Sequence, residues 1–158
     1  MAAPTATSRV LPPGQPMKDG YRSLVTFAVD PDILLWEVGS TPPGFDGGDP
    51  IDTTNMFTGT WRVMRSRSLI TLTPASLRVN YAVLVYPQIQ AICNVETTVT
   101  FHFPSGNYVA FYGYLRQFEP SENQEGEDPE ATATIQPTNW DPTNNVVAGP
   151  TTGTASAM

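Results

Sequence analysis

Apolar and polar positions alternate with a period of two through most of the middle of the chain, the pattern of strands with one dry and one wet face. The clearest run is Thr97–Phe103, TTVTFHF, with Val99, Phe101 and Phe103 on one side. Pro104-Ser105-Gly106-Asn107 then makes a turn, and Tyr108–Phe118, YVAFYGYLRQF, alternates again. The two runs form a β-hairpin. Its second strand carries Val109, Phe111 and Leu115 on one face, with Tyr108, Tyr112, Tyr114 and Phe118 distributed around it. Gly113 in mid-strand predicts a bulge or a close backbone approach. Upstream, residues 23–29 (SLVTFAV) and 33–38 (ILLWEV) read as neighbouring strands separated by an Asp-Pro turn. Residues 57–64 and 68–80 read as extended, and residues 130–136 (EATATIQ) as the last strand. One segment breaks the period. Residues 84–93, LVYPQIQAIC, fit a short helix through Tyr86, Ile89, Ala91, Ile92 and Cys93, with Pro87 in its first turn. The expected fold is mainly β: a sandwich or barrel of about seven or eight strands with one packed helix.

Three segments lack periodicity. Residues 1–20 are rich in Ala, Thr, Pro and Gly and are expected to be an N-terminal arm without a core of its own. Residues 139–158 have similar composition and are expected to be a flexible C-terminal arm, leaving 21–138 as the folded domain. Between two predicted strands, Gly39–Asn55 reads GSTPPGFDGGDPIDTTN. A gap this long inside a compact domain is usually functional.

The chain has 158 residues, of which 15% are charged, and a formal net charge of −7. Its 12 Gly and 16 Pro argue against long helices, and its single Cys argues against a disulfide scaffold. The acidic balance opposes DNA binding, because phosphate contacts need basic groups that release counterions. It is compatible with a wall past which DNA slides. The first residues show no basic and apolar leader pattern, and no apolar run reaches the length of a membrane span, so cytoplasmic synthesis is expected.

Candidate chemistry is sparse. A triad needs a His base, and the single His, His102, lies in a strand between Phe101 and Phe103, where a polar-face strand residue is the simpler reading. Cys93 has apolar neighbours and no nearby cation to activate it. Asp46, Asp49 and Asp52 recur every third residue in a Gly-rich loop, but the alternate-residue ligands and closing Glu of an EF-hand are missing, so they read as turn formers. No catalytic, metal or cofactor residue is assigned. Trp36 and Trp61 read as core or interface residues. Charge is segregated. Trp61–Asn80 holds Arg62, Arg65, Arg67 and Arg78 with no acid, whereas Glu119–Glu130 holds six acids with no base. Separated blocks of opposite sign suit self-association.

Several stretches together carry a resemblance. DGGDPIDTTNM (Asp46–Met56) followed by TWR (Thr60–Arg62), the run NVETTVTFHFPSGNYVAFYGYLRQFEP from Asn94, EGEDPEATATIQPTN (Glu125–Asn139) and the opening GYRSLVTFAVDPDILLWEVGSTPPG (Gly20–Gly44) resemble tail tube (major tail) proteins of long-tailed bacteriophages. The likeness covers about residues 20 to 140. It implies a small β-sandwich or barrel that assembles into hexameric rings, stacked into a virion tail tube for genome ejection and built in the host cytoplasm. Implied partners are copies of the chain itself, tape-measure and tail-terminator or tail-tip proteins, and DNA passing without specific binding. Carried onto this sequence, the inter-ring loop is Gly39–Met56, with Gly44, Asp46, Gly47, Gly48, Asp49, Pro50, Ile51 and Asp52 at its centre. Glu37, Glu96 and Glu130 are the candidate lumen acids. Thr98, Thr100, Thr132 and Thr134 mark a polar face that lines either the channel or the outside. Both arms are expected to cross onto neighbouring subunits. The alternatives are a head–tail terminator or distal tail ring of the same fold, a carbohydrate-binding β-sandwich, or a hydrolase on a barrel using His102.

Overall fold

A computed structural model describes residues 23–154 except 32, 34 and 105. The expected N-terminal arm lies outside the described residues. The fold is mainly β, as the alternation predicts. Seven strands form one antiparallel sheet. In chain order they are β1 (Leu24–Phe27), β2 (Leu35–Thr41), β7 (Ala75–Tyr81), β8 (Thr97–His102), β9 (Asn107–Pro120), β10 (Glu130–Pro137) and β13 (Thr151–Thr154). The spatial order is β1-β8-β9-β10-β7-β2, and β13 pairs with β9 beyond the end of β10.

One face of the sheet is dry. Val25 stands opposite Phe101 and Phe27 opposite Val99; Val99 in turn faces Phe111. Leu115 stands opposite Ile135, which pairs with Ala75, while Ala133 faces Leu77 and Ala131 faces Val79. All of these are buried in one cluster, and the Phe101 and Phe111 rings stack with centroids 5.8 Å apart. The helix α1 (Tyr86–Ile92), entered through a 3-10 turn at Val83–Val85, covers this face with Val85, Ile89 and Ile92. Pro87 sits in its first turn, where a missing N–H costs nothing. Tyr86 and Ala91 lie on its exposed side.

The sheet curls until its edge strands approach. The N–H of Val25 on β1 donates to Oε1 of Glu37 on β2 at 3.2 Å, so a side chain bridges the seam where no ladder forms. Two bulges set the curvature. In β2 the register shifts between Glu37 and Gly39, leaving Val38 unpaired and exposed. In β9 the shift falls at Arg116, because Thr134 pairs with Gln117 and the next residue, Ile135, with Leu115. This extra residue reverses the parity of β9, so the inward series Phe111, Gly113, Leu115 continues as Phe118, which packs on the core and against Tyr81 and Tyr86. Gly113 is a close backbone approach: a Cβ there would lie 2.6 Å from the Gln136 carbonyl oxygen.

Two expected strands are corrected. Residues 57–64 are turn and loop apart from the start of a short strand at Met64, and 68–80 is not continuous. It breaks at Thr73-Pro74, where proline has no N–H for a ladder. The C-terminal segment is also corrected. Rather than a loose arm, residues 140–147 form a small hairpin, β11 (Trp140–Asp141) with β12 (Val146–Val147), and β13 then docks on Asn107–Ala110.

Phe101→Ala is expected to lower unfolding free energy by about 3–5 kcal/mol through transfer and cavity terms. Thr98→Ala, on the opposite face, is expected to cost less than about 1 kcal/mol. Urea denaturation of both variants measures the difference.

Candidate assembly surfaces

The segment from Pro42 to Pro74 leaves the end of β2 and returns at the start of β7 as a long two-stranded ribbon. At its root, β3 (Phe45–Asp46) pairs with β6 (Thr71–Leu72); further out, β4 (Ile51–Asp52) pairs with β5 (Met64–Arg65). Below β3, the Gly44 N–H donates to Thr73 Oγ1 at 2.8 Å and the Thr73 N–H to the Gly44 carbonyl at 3.0 Å. Asp46 Oδ1 accepts from the Gly48 N–H at 2.8 Å, an Asx turn completed by positive φ at Gly48. A Cβ at Gly48 would also press on the Arg67 side chain, whose Nε donates to the Asp49 carbonyl at 2.8 Å. Asp52 Oδ1 accepts from the Thr54 N–H, and the Thr54 hydroxyl first, with this N–H second, holds its carboxyl below the usual aspartate range. Its Oδ2 lies 3.8 Å from Arg62.

The tip is laced by polar side chains. The Val63 N–H donates to Thr54 Oγ1, the Phe57 N–H to Asn55 Oδ1, and the Thr58 hydroxyl to the Asn55 carbonyl. With the backbone fixed this way, the large side chains have nowhere to go but outward. Met56, Phe57 and Trp61 are 98%, 97% and 83% exposed, and Phe45, Leu69 and Ile70 are also exposed.

Gly44, Asp46, Gly47, Gly48, Asp49, Pro50, Ile51 and Asp52 are thus brought together on the outgoing leg. Sequence reasoning missed the return leg and its pairing. Of the two readings of Trp61, core and interface, its exposure overturns the core one. The signal was present in the mirrored polar and apolar residues on either side of the tip, but they lie between Pro-Gly clusters that read as loop.

Glu37, Glu96 and Glu130 are not brought together. Glu37 is half-buried, stands opposite the core residue Val79, and gives its carboxylate to the Val25 N–H. Glu96 is exposed just before β8, and Glu130 opens β10 opposite Asn80 on the wet face. That face is dominated by hydroxyls and amides. Thr26 stands opposite Thr100, Thr98 opposite Tyr112, and Thr134 between Ser76 and Gln117. Thr132 sits between Arg78 and Glu119. His102 belongs to the same face, half-buried, its Nε2 3.4 Å from Thr26 Oγ1 and its ring beside Tyr108. Cys93 is half-buried at the helix end. Among the described residues no cluster of three potential metal-ligating side chains occurs, and no helix is long and apolar enough to cross a membrane.

A further device holds the C-terminal hairpin. Asp141 is buried; its carboxylate accepts from Asn144 Nδ2 at 2.7 Å and from the backbone N–H groups of Thr143 and Asn144. The Asn144 bond leads in holding the Asp141 carboxyl below its ordinary 3.8. Burial, with the adjacent Asp141 charge, pushes the Tyr112 phenol on β9 upward. The DPTN turn signature was the available clue to this anchor. No family model matches the chain, and no curated protein matches it.

A carboxyl held low in the fold contributes stability above its unfolded value and loses it as pH falls through the folded one. Protection factors at 146–154, observed exchange corrected for the intrinsic rate at each pH, are therefore expected to fall as pH drops below the ordinary aspartate value, while those of β8 are kept. Asp141→Ala should speed up exchange at 151–154 by about tenfold at neutral pH, the size of a local opening.

Proposed function

We propose that this chain is a structural virion protein whose copies assemble into stacked rings, the tail tube of a long-tailed bacteriophage. The observation that carries the reading is the ribbon. Some thirty residues, Pro42–Pro74, extend from the sheet with their large apolar side chains in water. An isolated two-stranded ribbon cannot bury a face of its own, so such a surface implies a protein partner. A tube of identical subunits supplies that partner from the same polypeptide.

Two further features support the reading. β1 and β2 are edge strands of the sheet, joined to each other through Glu37 rather than by a ladder. Edges of this kind are where strands of neighbouring subunits pair to close a larger barrel. The wet face of the sheet suits a channel wall. Its hydroxyls and amides, with charges of mixed sign at Arg78, Glu119 and Glu130, offer DNA phosphates no basic stripe and hence little counterion release. Glu130 is the candidate lumen acid that best fits this role; Glu37 serves the seam. The partners of this reading are copies of the chain, with tape-measure and terminator or tip proteins at the ends of the tube. The ring-only alternative of the same fold predicts single rings. The carbohydrate-binding alternative gains nothing from Trp36, Trp61 and Trp140, which sit on three separate elements.

Purified protein, concentrated or seeded with tail-tip complexes, is expected to form tubes under negative stain and a fast-sedimenting species. A stable monomer under both conditions would count against the proposal. Replacing residues 47–69 by two glycines should abolish assembly while moving the melting midpoint by only a few degrees, roughly 1 kcal/mol or less, because the ribbon lies outside the core.

A further inference from the structure

Apart from Arg78, in the middle of β7, and Glu119, on β9, the two charge blocks lie at opposite ends of the same sheet. The ribbon leaves after Thr41, which pairs with Ser76, and returns just before Ala75. The acidic connection between β9 and β10 closes at the other end, where Ser121 N–H donates to the Glu130 carbonyl, Glu130 pairs with Asn80, and the Tyr81 N–H donates to the Pro129 carbonyl. Six residue steps along β7 separate the two ends, about 20 Å at the rise of a strand.

The acidic loop has no base of its own, whereas on the ribbon Asp46, Asp49 and Asp52 equal Arg62, Arg65 and Arg67 in number, and Arg65 is left without an ion pair among the described residues. On the ribbon, the carboxylates of Asp46 and Asp52 accept from Gly48 and Thr54, and Asp52 also meets Arg62. Arg65, opposite Ile51, has no carboxylate within ion-pairing reach among the described residues. Arg67 is held by the Asp49 carbonyl through Nε alone. Next to these cations the return leg exposes Leu69 and Ile70. At the other end, residues 121–129 are all exposed around a turn with positive φ at Gly126. The carboxylates of Glu122, Glu125, Glu127 and Asp128 have no partner among the described residues.

We propose that the return leg of the ribbon, through Arg65 and Arg67, docks on the acidic β9–β10 loop of a second copy of this chain. The inference rests on the self-assembly reading and specifies its polarity. Because the two surfaces differ and sit at opposite ends, the contact is heterologous and head-to-tail, so it repeats without closing. Opposite charge steers the approach and fixes the register. The apolar residues beside the arginines exclude water from the ion pairs and so strengthen them.

The test uses the full chain with Cys93→Ser. Arg65→Cys combined with Glu125→Cys should give a ladder of disulfide-linked multimers from assembled protein on a non-reducing gel, because about 20 Å of strand keeps the pair apart within one subunit. Arg65→Glu with Arg67→Glu should reduce the assembled fraction about tenfold, and added Glu122→Lys, Glu125→Lys and Glu127→Lys should restore it. Circular-dichroism melting monitors folding of each variant. Tubes from wild-type protein with no disulfide ladder, charge-reversed protein that assembles as well as wild type, or failure of the lysine changes to rescue it overturns this docking and leaves self-assembly standing. Wild-type protein that never assembles overturns both.

Discussion

A two-stranded ribbon has a surface that it cannot cover, and the rest of the molecule is organised around that constraint. Strands gain stability from packing a face, and a second layer is needed for this. The sheet finds its layer in α1 and in its own curvature. The ribbon finds none in the monomer. Its turn chemistry nevertheless fixes its shape: Asp46, Asp52, Asn55 and Thr54 cap backbone groups one after another, and Gly48 and Gly59 supply positive φ. A segment ordered by local hydrogen bonds while showing Phe57 and Trp61 to water is prepared for contact before the contact is made. Such preorganisation lowers the entropy lost on association.

The same division explains what the sequence made legible. Strands with one buried face announce themselves by alternation, and β8, β9 and β10 were placed within a residue or two for that reason. The helix was legible because its period breaks the strands around it and Pro87 marks its start. Where a strand has no buried face, the period vanishes. β3 to β6 are two residues each, paired by backbone only, with composition set by turns. Residues 68–80 read as one extended run; Pro74 breaks it, and of Leu69, Ile70 and Leu72 only Leu72 is buried. Bulges are equally invisible to a fixed period. Arg116 shifts β9 by one, which is why Phe118 packs inward although its parity from Leu115 is wrong.

Tertiary context also decided the roles of individual acids. Glu37 reads as a surface charge in ILLWEV, yet its carboxylate closes the seam between the first and last strands of the sheet path. A charge-assisted bond to a backbone N–H is stronger than a neutral one, and it satisfies an edge donor that the core side would otherwise leave orphaned. Asp141, in a segment whose composition suggested no fixed structure, is buried and bonded to Asn144 and Thr143, and its hairpin carries β13 to the edge of β9. Low complexity predicted a lack of hydrophobic core, which is correct for this tail; side-chain caps and strand pairing order it instead.

The ends of the sheet differ in the kind of attraction each can offer. An apolar ribbon alone would attach to any apolar patch, in any orientation, and would aggregate as readily as assemble. Placing the acidic loop at the far end of the strands from the arginines of the return leg narrows those alternatives, because these opposite charges meet only when unlike ends face each other. An acidic loop meeting another acidic loop brings like charges together, which costs affinity and disfavours that symmetric pair. In the proposed stack, segregating the charges along the strand axis supplies direction, and burying the ribbon's aromatic tip supplies strength. In the proposed assembly neither alone would specify an open, polar stack of subunits; a sheet whose two ends carry unlike partners would.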